Sequence, residues 1–479
     1  MDLRLLLGSL SYRAMNSYII VSNRGPVAAK RSPDGEGIAV VRSGGGLASA
    51  ISPLVQNDLA KWLFPISNDV EIEAYEAGSL TSGDPNLIPV PVAQDIHSIA
   101  YNEISNKVLW YLLHGMFSLT RSPKFDTQFY LDWKNYSDFS EAIAVAISKI
   151  APKNAKVLLQ DYHMFLVPSF LVTLRSDLSI SLFLHTPFSS ASEFEVLPGV
   201  VRDQLLESLS KVTHIGFHAS RWKENFNEVF NRFASHRQLP NLHVNPLGTD
   251  IEDISTAANR DTVEIERTKI REIAAGRRII ARVDRMEPSK NILRGIDSVV
   301  ELFRFYPHMM RSVVHIANCY PSREALEDYA SYANEVEKKI EESNEYLRDL
   351  ASRLGLQLPT DPIYKFTQDN FALSLALLKE YDVLLVNPIR DGYNLVASEG
   401  PLINERSGGL VLSTNAGIAE VVSDRANLIN PYDIRESALA IFSIFDQNDQ
   451  LRMERSAELV AVLKERNPAK WLQNQIDWF

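Results

Sequence analysis

Short apolar stretches of strand length alternate with longer amphipathic stretches along nearly the whole chain. Runs at 18–21, 156–159, 180–184 and 214–217, and again at 278–283, 312–317, 383–387 and 409–412, are mostly apolar on both faces. That is the pattern of parallel strands covered by helices on either side. From 324 to 354, Val336, Ile340, Leu347 and Leu350 share one face, while Glu335, Lys338, Lys339, Glu342 and Glu345 fall elsewhere. This spacing predicts a long helix with one buried stripe and a solvated charged side. Two such strand–helix series predict an α/β protein with two Rossmann-like, doubly wound parallel-sheet domains facing a cleft.

A polar stretch at 248–267 interrupts the pattern, with Asp250, Glu252, Asp253 and the Asn259–Arg260–Asp261 cluster. It predicts a first domain over 15–250, a second over 251–450, and a C-terminal helix and tail over 451–479. Trp471, Trp478 and Phe479 make that tail apolar enough to need a surface to pack on. A length of 479 residues suits two large domains. With 45% hydrophobic and 23% charged residues, disorder is excluded as the default state.

Charge narrows the function classes. Lys plus Arg number 49 against 60 Asp plus Glu, for a net charge of −11. General nucleic-acid binding by phosphate neutralisation is therefore not expected, although local basic pockets for a small phosphorylated ligand are. The single Cys319 excludes an intrachain disulfide and a cysteine-built zinc site, and suits a reducing cytosol. Gly8, Ser9 and Arg13 break the apolar run at 5–7 before a secretory core forms, and no stretch approaches the roughly 20 apolar residues of a membrane span. The expectation is a soluble cytoplasmic protein without a membrane partner, residues 1–14 being either an extension ahead of the first strand or an artefact of start-codon choice.

In open α/β sheets ligands bind beyond the carboxyl ends of the strands. After the first strand come Ser22-Asn23-Arg24-Gly25-Pro26 and then Ser43-Gly44-Gly45-Gly46-Leu47. Three glycines opening a helix let backbone N–H groups approach a phosphate, with Arg24 nearby; a plain structural turn is the alternative. Gln160-Asp161-Tyr162-His163 and His185-Thr186-Pro187-Phe188 follow two further strands. Asp161 and His185 can grip sugar hydroxyls or orient a reacting group, or else be a cap and a satisfied core histidine. In the second half, Arg285 and Lys290 lie five apart on a turn into a helix, placed to clamp a diphosphate. Asp391 and Gly392 open a turn into a helix that carries Glu399, suited to sugar and ribose hydroxyls.

SNRGPV, SGGGL, YNEISNKVLW, QDYH, FLHTPF, DRMEPSK, DGYNLVASE and NPYD occur in this order between about 17 and 433. Together they make the chain resemble glycosyltransferase family 20, the trehalose-6-phosphate synthases. The resemblance implies a GT-B fold whose C-terminal tail crosses back to the first domain. It implies a nucleotide sugar, UDP-glucose, as donor and glucose 6-phosphate as acceptor, with no cofactor or metal and with no nucleic-acid partner; a homo-oligomer is left open. By the same resemblance Arg24, Tyr101, Trp110 and Arg323 hold the acceptor phosphate and ring, and Gly45 lines the donor phosphates. Asp161 and His185 contact the sugars at the reacting centre, and Arg285 and Lys290 clamp the diphosphate. Asp391, with the amides of Gly392, Tyr393, Asn394 and Leu395, holds the donor glucose and phosphate, and Glu399 the ribose. The implied reaction retains anomeric configuration by front-face displacement, with the two cations of the clamp stabilising the departing diphosphate.

Departures from the family pattern are Gln160 where histidine is usual, Tyr393 where methionine is usual, and a degraded stretch at 61–65. Asn370 or Phe371 stands where an arginine is common. Three rival readings stay open: a pseudo-glycosyltransferase joining a nucleotide cyclitol to an amino-cyclitol phosphate, a glucosylglycerol-phosphate synthase, and a non-catalytic sugar-phosphate sensor.

Overall fold

All four residues of β1 (Tyr18–Val21) are buried, as a strand with neighbours on both edges and helices on both faces requires. In the computed structural model, which describes residues 18–32, 37–42, 51–52, 54–55, 58–323 and 326–479, β1 lies inside a seven-stranded sheet. The chain first forms an antiparallel hairpin of β2 (Val27–Arg31) and β3 (Ile38–Arg42). It then adds β4 (Ala60–Ile66), β5 (Leu87–Pro91), β6 (Lys156–Gln160), β7 (Ser179–Leu184), β8 (His214–Phe217) and β9 (Asn241–Val244). The order is β5-β4-β1-β6-β7-β8-β9 with every pairing parallel. The helix Thr127–Ile150 supports it by burying Phe129, Trp133, Tyr136, Phe139, Ile143 and Ile147 along one stripe. Its start is fixed by Asp126, whose carboxylate accepts from the Phe129 N–H at 3.1 Å.

The second sheet contains β10 (Arg278–Arg285), β11 (Val313–Tyr320), β12 (Ile363–Phe366), β13 (Val383–Val386), β14 (Gly409–Ser413) and β15 (Asn427–Ile429). Its order is β12-β11-β10-β13-β14-β15, again parallel throughout. Successive residues of β10 face opposite sides: Ile279, Ala281 and Val283 join one hydrophobic core and Ile280 the other. The predicted charged helix is present as Glu327–Arg353, with Val336, Ile340 and Leu347 buried.

Five strands of the two parallel sheets lie outside the predicted runs: β4, although six of its seven residues are apolar, and β5, β9, β12 and β15. Four of them are the sheet edges, where one side is unpaired and polar residues or prolines such as Pro89 and Pro91 are tolerated. The chain divides into two compact units, Met1–Pro246 with Pro468–Phe479, and Leu247–Asn467. The helix Asp449–Lys464, placed by the sequence pattern in a C-terminal segment, belongs to the second unit, where it buries Leu459 and Leu463.

The returning segment, helix Pro468–Asp477, buries Trp471, Leu472 and Ile476 in the first unit. Trp471 meets Phe183 edge-on, with ring centres 5.0 Å apart, and its carbonyl accepts from Asn245 Nδ2 at 2.8 Å. Trp478 stacks on His243 at 4.4 Å. Among the described residues no helix is long and apolar enough to cross a membrane.

Candidate active site

Because all strands of a sheet run the same way, their carboxyl ends share one edge, and the chemistry-bearing residues of each unit collect there. In the first unit, Trp62 Nε1 donates to Ser22 Oγ, which donates to the Arg24 carbonyl, each at 2.7 Å. A Cβ on Gly25 would sit 2.5 Å from the Phe64 ring, so only glycine lets the chain lie this close to β4. The turn presents Arg24 to solvent, and its Nη2 donates to the Tyr101 hydroxyl at 3.0 Å. Gly45, expected to line the donor phosphates, lies outside the described residues.

Tyr101 belongs to a π-helical stretch, Ala100–Leu109, that runs directly into the helix Trp110–His114. Nine residues are two and a half turns of an α-helix, which would put Tyr101 and Trp110 on opposite faces. The wider i→i+5 winding brings nine residues nearer to two turns and aligns them. Accordingly Tyr101 stacks on His163 (5.7 Å, 12° between ring planes) and Trp110 lies against the adjacent Tyr162 at 5.9 Å. Asn106 secures the arrangement, donating to the Tyr101 carbonyl at 2.9 Å and accepting from the Tyr162 hydroxyl at 3.0 Å. His97, on the other side of Tyr101, has its pKa pushed down to about 4 by burial and by Arg24.

Asp161, just past β6, holds a backbone φ of 70°, a costly conformation for a residue with a side chain. Its carboxylate accepts from the His185 N–H at 3.2 Å, tying the ends of β6 and β7. The His185 ring is half-buried with both nitrogens engaged: Nε2 donates to Gln160 Oε1 at 3.1 Å, so Nδ1 accepts from His218 Nε2 at 3.2 Å. Burial pushes its pKa down to about 3, and His218 is lowered by burial and by His185. Near pH 7 the ring is therefore neutral, with both of its nitrogens engaged. His218 was not singled out by the sequence, although its position one residue past β8 is the signal that could have found it.

In the second unit Arg285 ends β10, its Nη1 3.0 Å from Glu287 Oε1. Lys290 pairs with Asp391 at 2.6 Å. Burial works against the Lys290 charge, but Asp391, Asp284 and Glu287 outweigh it and raise the pKa. The Asp391 carboxylate also accepts from Asn394 Nδ2 at 3.1 Å and from the Tyr393 N–H at 3.3 Å. Asn394 in turn caps the helix Leu395–Ile403, accepting from the Ala397 N–H at 3.0 Å.

Gly392 and Leu395 lie within this same turn and helix start. The Tyr393 side chain is buried in the hydrophobic core, so its part in the turn is played by its backbone. Arg323, just past β11, donates to the Tyr329 hydroxyl at 2.6 Å. Glu399, just over one turn into the helix, has its carboxyl pushed up to about 7 by burial and by Asp253. Asn370 caps the helix Phe371–Glu380, accepting from the Leu373 N–H, instead of supplying a cation. Beneath the site, fully buried Arg282 donates to Asn387 Oδ1 at 2.7 Å and to the Lys290 carbonyl at 2.5 Å. Among the described residues no three His, Cys, Asp or Glu side chains are grouped to hold a metal ion.

The family model of glycosyltransferase family 20 matches residues 16–479. The chain belongs to this family. Relatives in it include the UDP-forming alpha,alpha-trehalose-phosphate synthase A of Dictyostelium discoideum, 29% identical over 95% of this chain and 61% of that protein. The UDP-forming alpha,alpha-trehalose-phosphate synthase of Schizosaccharomyces pombe is also 29% identical, over 97% of this chain and 91% of that protein. Among solved structures, a trehalose-6-phosphate protein from E. coli bound with UDP-2-fluoro glucose superimposes with a TM-score of 0.80 at 22% identity, covering 96% of this chain and 98% of that one. A Burkholderia xenovorans alpha,alpha-trehalose-phosphate synthase in complex with glucose-6-phosphate gives the same TM-score and identity, over 96% and 99%. The fold is accordingly GT-B, built from two parallel-sheet Rossmann-like units.

Proposed function

We propose that the protein is a retaining glycosyltransferase that moves glucose from UDP-glucose to glucose 6-phosphate, giving trehalose 6-phosphate. The observation that carries this reading is the cluster at the carboxyl end of the second sheet: Arg285, the Lys290–Asp391 pair and the Asn394-capped helix. Two cations and a row of helix N-terminal N–H groups suit a diphosphate that gains charge as it departs. Glu399 takes the ribose hydroxyls. In the first unit, Arg24 with Tyr101 and Trp110 holds the acceptor's phosphate and ring, and Arg323 is assigned to the same phosphate.

In the reaction the bond from the donor's anomeric carbon to the diphosphate oxygen breaks. A bond to the acceptor's anomeric hydroxyl oxygen forms on the same face, and the hydroxyl proton passes to the departing phosphate oxygen. No protein base is needed, which agrees with a His185 whose ring nitrogens are both engaged and whose pKa, pushed down to about 3 by burial, makes it a weak base. Asp161 accepts from sugar hydroxyls while it holds the His185 backbone in place. The nucleotide sugar is a substrate, and no cofactor enters this reading. A cytosolic location fits the single Cys319, buried and with its thiol pushed up to about 12 by burial.

The test mixes UDP-, ADP- or GDP-glucose with glucose 6-phosphate, glycerol 3-phosphate or no acceptor. Nucleotide release and the sugar product are followed by NMR. Release of UDP only with glucose 6-phosphate, with an α,α-linked phosphorylated disaccharide as product, is expected. Release with glycerol 3-phosphate alone, or sugar-phosphate binding with no release, overturns the reading.

A further inference from the structure

Glu287 is completely buried, yet its carboxylate is held in the ionised form: burial opposes the charge, and Arg285, Arg323 and Lys290 overcome it. Its Oε1 lies 3.0 Å from Arg285 Nη1 and 4.0 Å from Arg323 Nη1, and accepts from Ser322 Oγ at 3.1 Å. Its Oε2 is buried without a hydrogen-bond partner among the described residues. The backbone makes this meeting possible. β10 and β11 pair in register to Arg285 opposite Tyr320, and Met286 N–H continues the ladder to the Tyr320 carbonyl at 2.8 Å. The loops after two adjacent strands thus bring one arginine each to the same carboxylate. Arg285 is 43% exposed at its side chain and Arg323 11%; Arg285 contacts Glu287 directly, whereas Arg323, 4.0 Å away, gives its Nη1 to the Tyr329 hydroxyl.

We propose that Glu287 is a positioning residue that aims both phosphate-binding arginines of the second unit, Arg285 at the donor diphosphate and Arg323 at the acceptor phosphate. The inference rests on the functional reading above for what the arginines bind. A buried carboxylate bonded to one guanidinium and facing a second, with one oxygen to spare, attracts both toward the same place. It also offsets two neighbouring cations before any anion arrives. Its effect belongs to the transition state, because orientation of Arg285 matters most when charge grows on the leaving diphosphate.

Glu287→Gln keeps the side chain's shape and removes its charge. Turnover is expected to fall at least about tenfold, while UDP alone binds as tightly as to the parent or more tightly, because a negative charge beside the diphosphate is gone. A merely structural role predicts a different pattern, with turnover and UDP affinity lost together. Unchanged turnover, or matching losses of turnover and affinity, overturns the proposal. Should that variant fail to fold, Ser322→Ala removes only the hydroxyl that donates to Oε1. It is expected to lower turnover about two- to fivefold at constant UDP affinity, and unchanged turnover again overturns the proposal. Arg285→Ala separates the two failures. Loss of UDP affinity and turnover there, with a silent Glu287→Gln, sinks the Glu287 role alone; an intact Arg285→Ala sinks the assignment of Arg285 itself.

Discussion

Arg285 reaches solvent at the end of a buried strand, and its partner Glu287 holds it there. If it stabilises the departing diphosphate, Arg285→Ala lowers turnover by about 10²–10³-fold, the loss seen when one charge-stabilising donor is removed. Steady-state nucleotide release checks this, with the melting temperature as control. Glu399 gives a pH signature. Its carboxyl is pushed up to about 7, so the folded protein keeps a proton that an unfolded chain releases near 4.3. Its contribution to stability therefore falls as pH rises from about 4.3 to 7, and the cost is complete above 7. Glu399→Gln removes that cost, so its melting temperature relative to the parent should rise between pH 5 and pH 8. UDP binding shows the functional side. Parental affinity should increase from pH 6 to 8 as the carboxylate ionises, whereas the variant binds with a flat profile, about tenfold more weakly at pH 8. Calorimetry at three pH values decides it.

At the scale of elements, the π-helical stretch Ala100–Leu109 matters most. It converts a nine-residue spacing that an α-helix would splay into one shared aromatic face. Deleting Glu103 should return one turn to α-helical winding and swing Tyr101 away from His163. The expected result is at least a tenfold rise in the KM for glucose 6-phosphate with little change for the donor, read from paired saturation curves. A second element-level constraint is the helix Ile292–Phe305, which crosses Arg282 at Gly295; a Cβ there would run into the guanidinium. Arg282 cannot step aside, since Asn387 and the Lys290 carbonyl hold it. Gly295→Ala should therefore destabilise by about 1–3 kcal/mol despite its better helix propensity, measured by urea unfolding.

At the scale of the whole molecule, the chain leaves its first unit at Pro246, builds the second, and returns for its last twelve residues. Trp471 anchors the return, 1% exposed and set against Phe183 in β7, the strand that ends just before His185. Trp471→Ala should cost about 3–5 kcal/mol of stability and lower turnover through the His185 turn. Urea denaturation followed by tryptophan fluorescence, alongside turnover at low denaturant, tests both halves. Restored turnover on adding the free peptide 468–479 to a chain ending at 467 would show that docking, rather than covalent continuity, is what the tail supplies.

The amino-acid sequence determined the fold class by itself, because a strand buried on both faces must be largely apolar; β1, β6, β7, β8, β10, β11, β13 and β14 all announce themselves this way. It also marked Asp161, His185, Arg285, Lys290 and Asp391 as strand-end residues, since their positions follow directly from where the apolar runs stop. The edge strands β5, β9, β12 and β15 were illegible, because half of an edge faces no neighbour and imposes no pattern. Winding was illegible too: nothing in YNEISNKVLW distinguishes i→i+5 from i→i+4 bonding. Only the tertiary structure decided that Gln160 and His218 engage the two ring nitrogens of His185, that Lys290 is matched to Asp391, and that Glu287 lies between Arg285 and Arg323. The His185 and Lys290 contacts join residues 25 to 101 positions apart, and Glu287 meets Arg323 36 positions away. Local sequence encodes which way a chain segment turns, whereas such partners are set by which strand ends the sheet order makes adjacent.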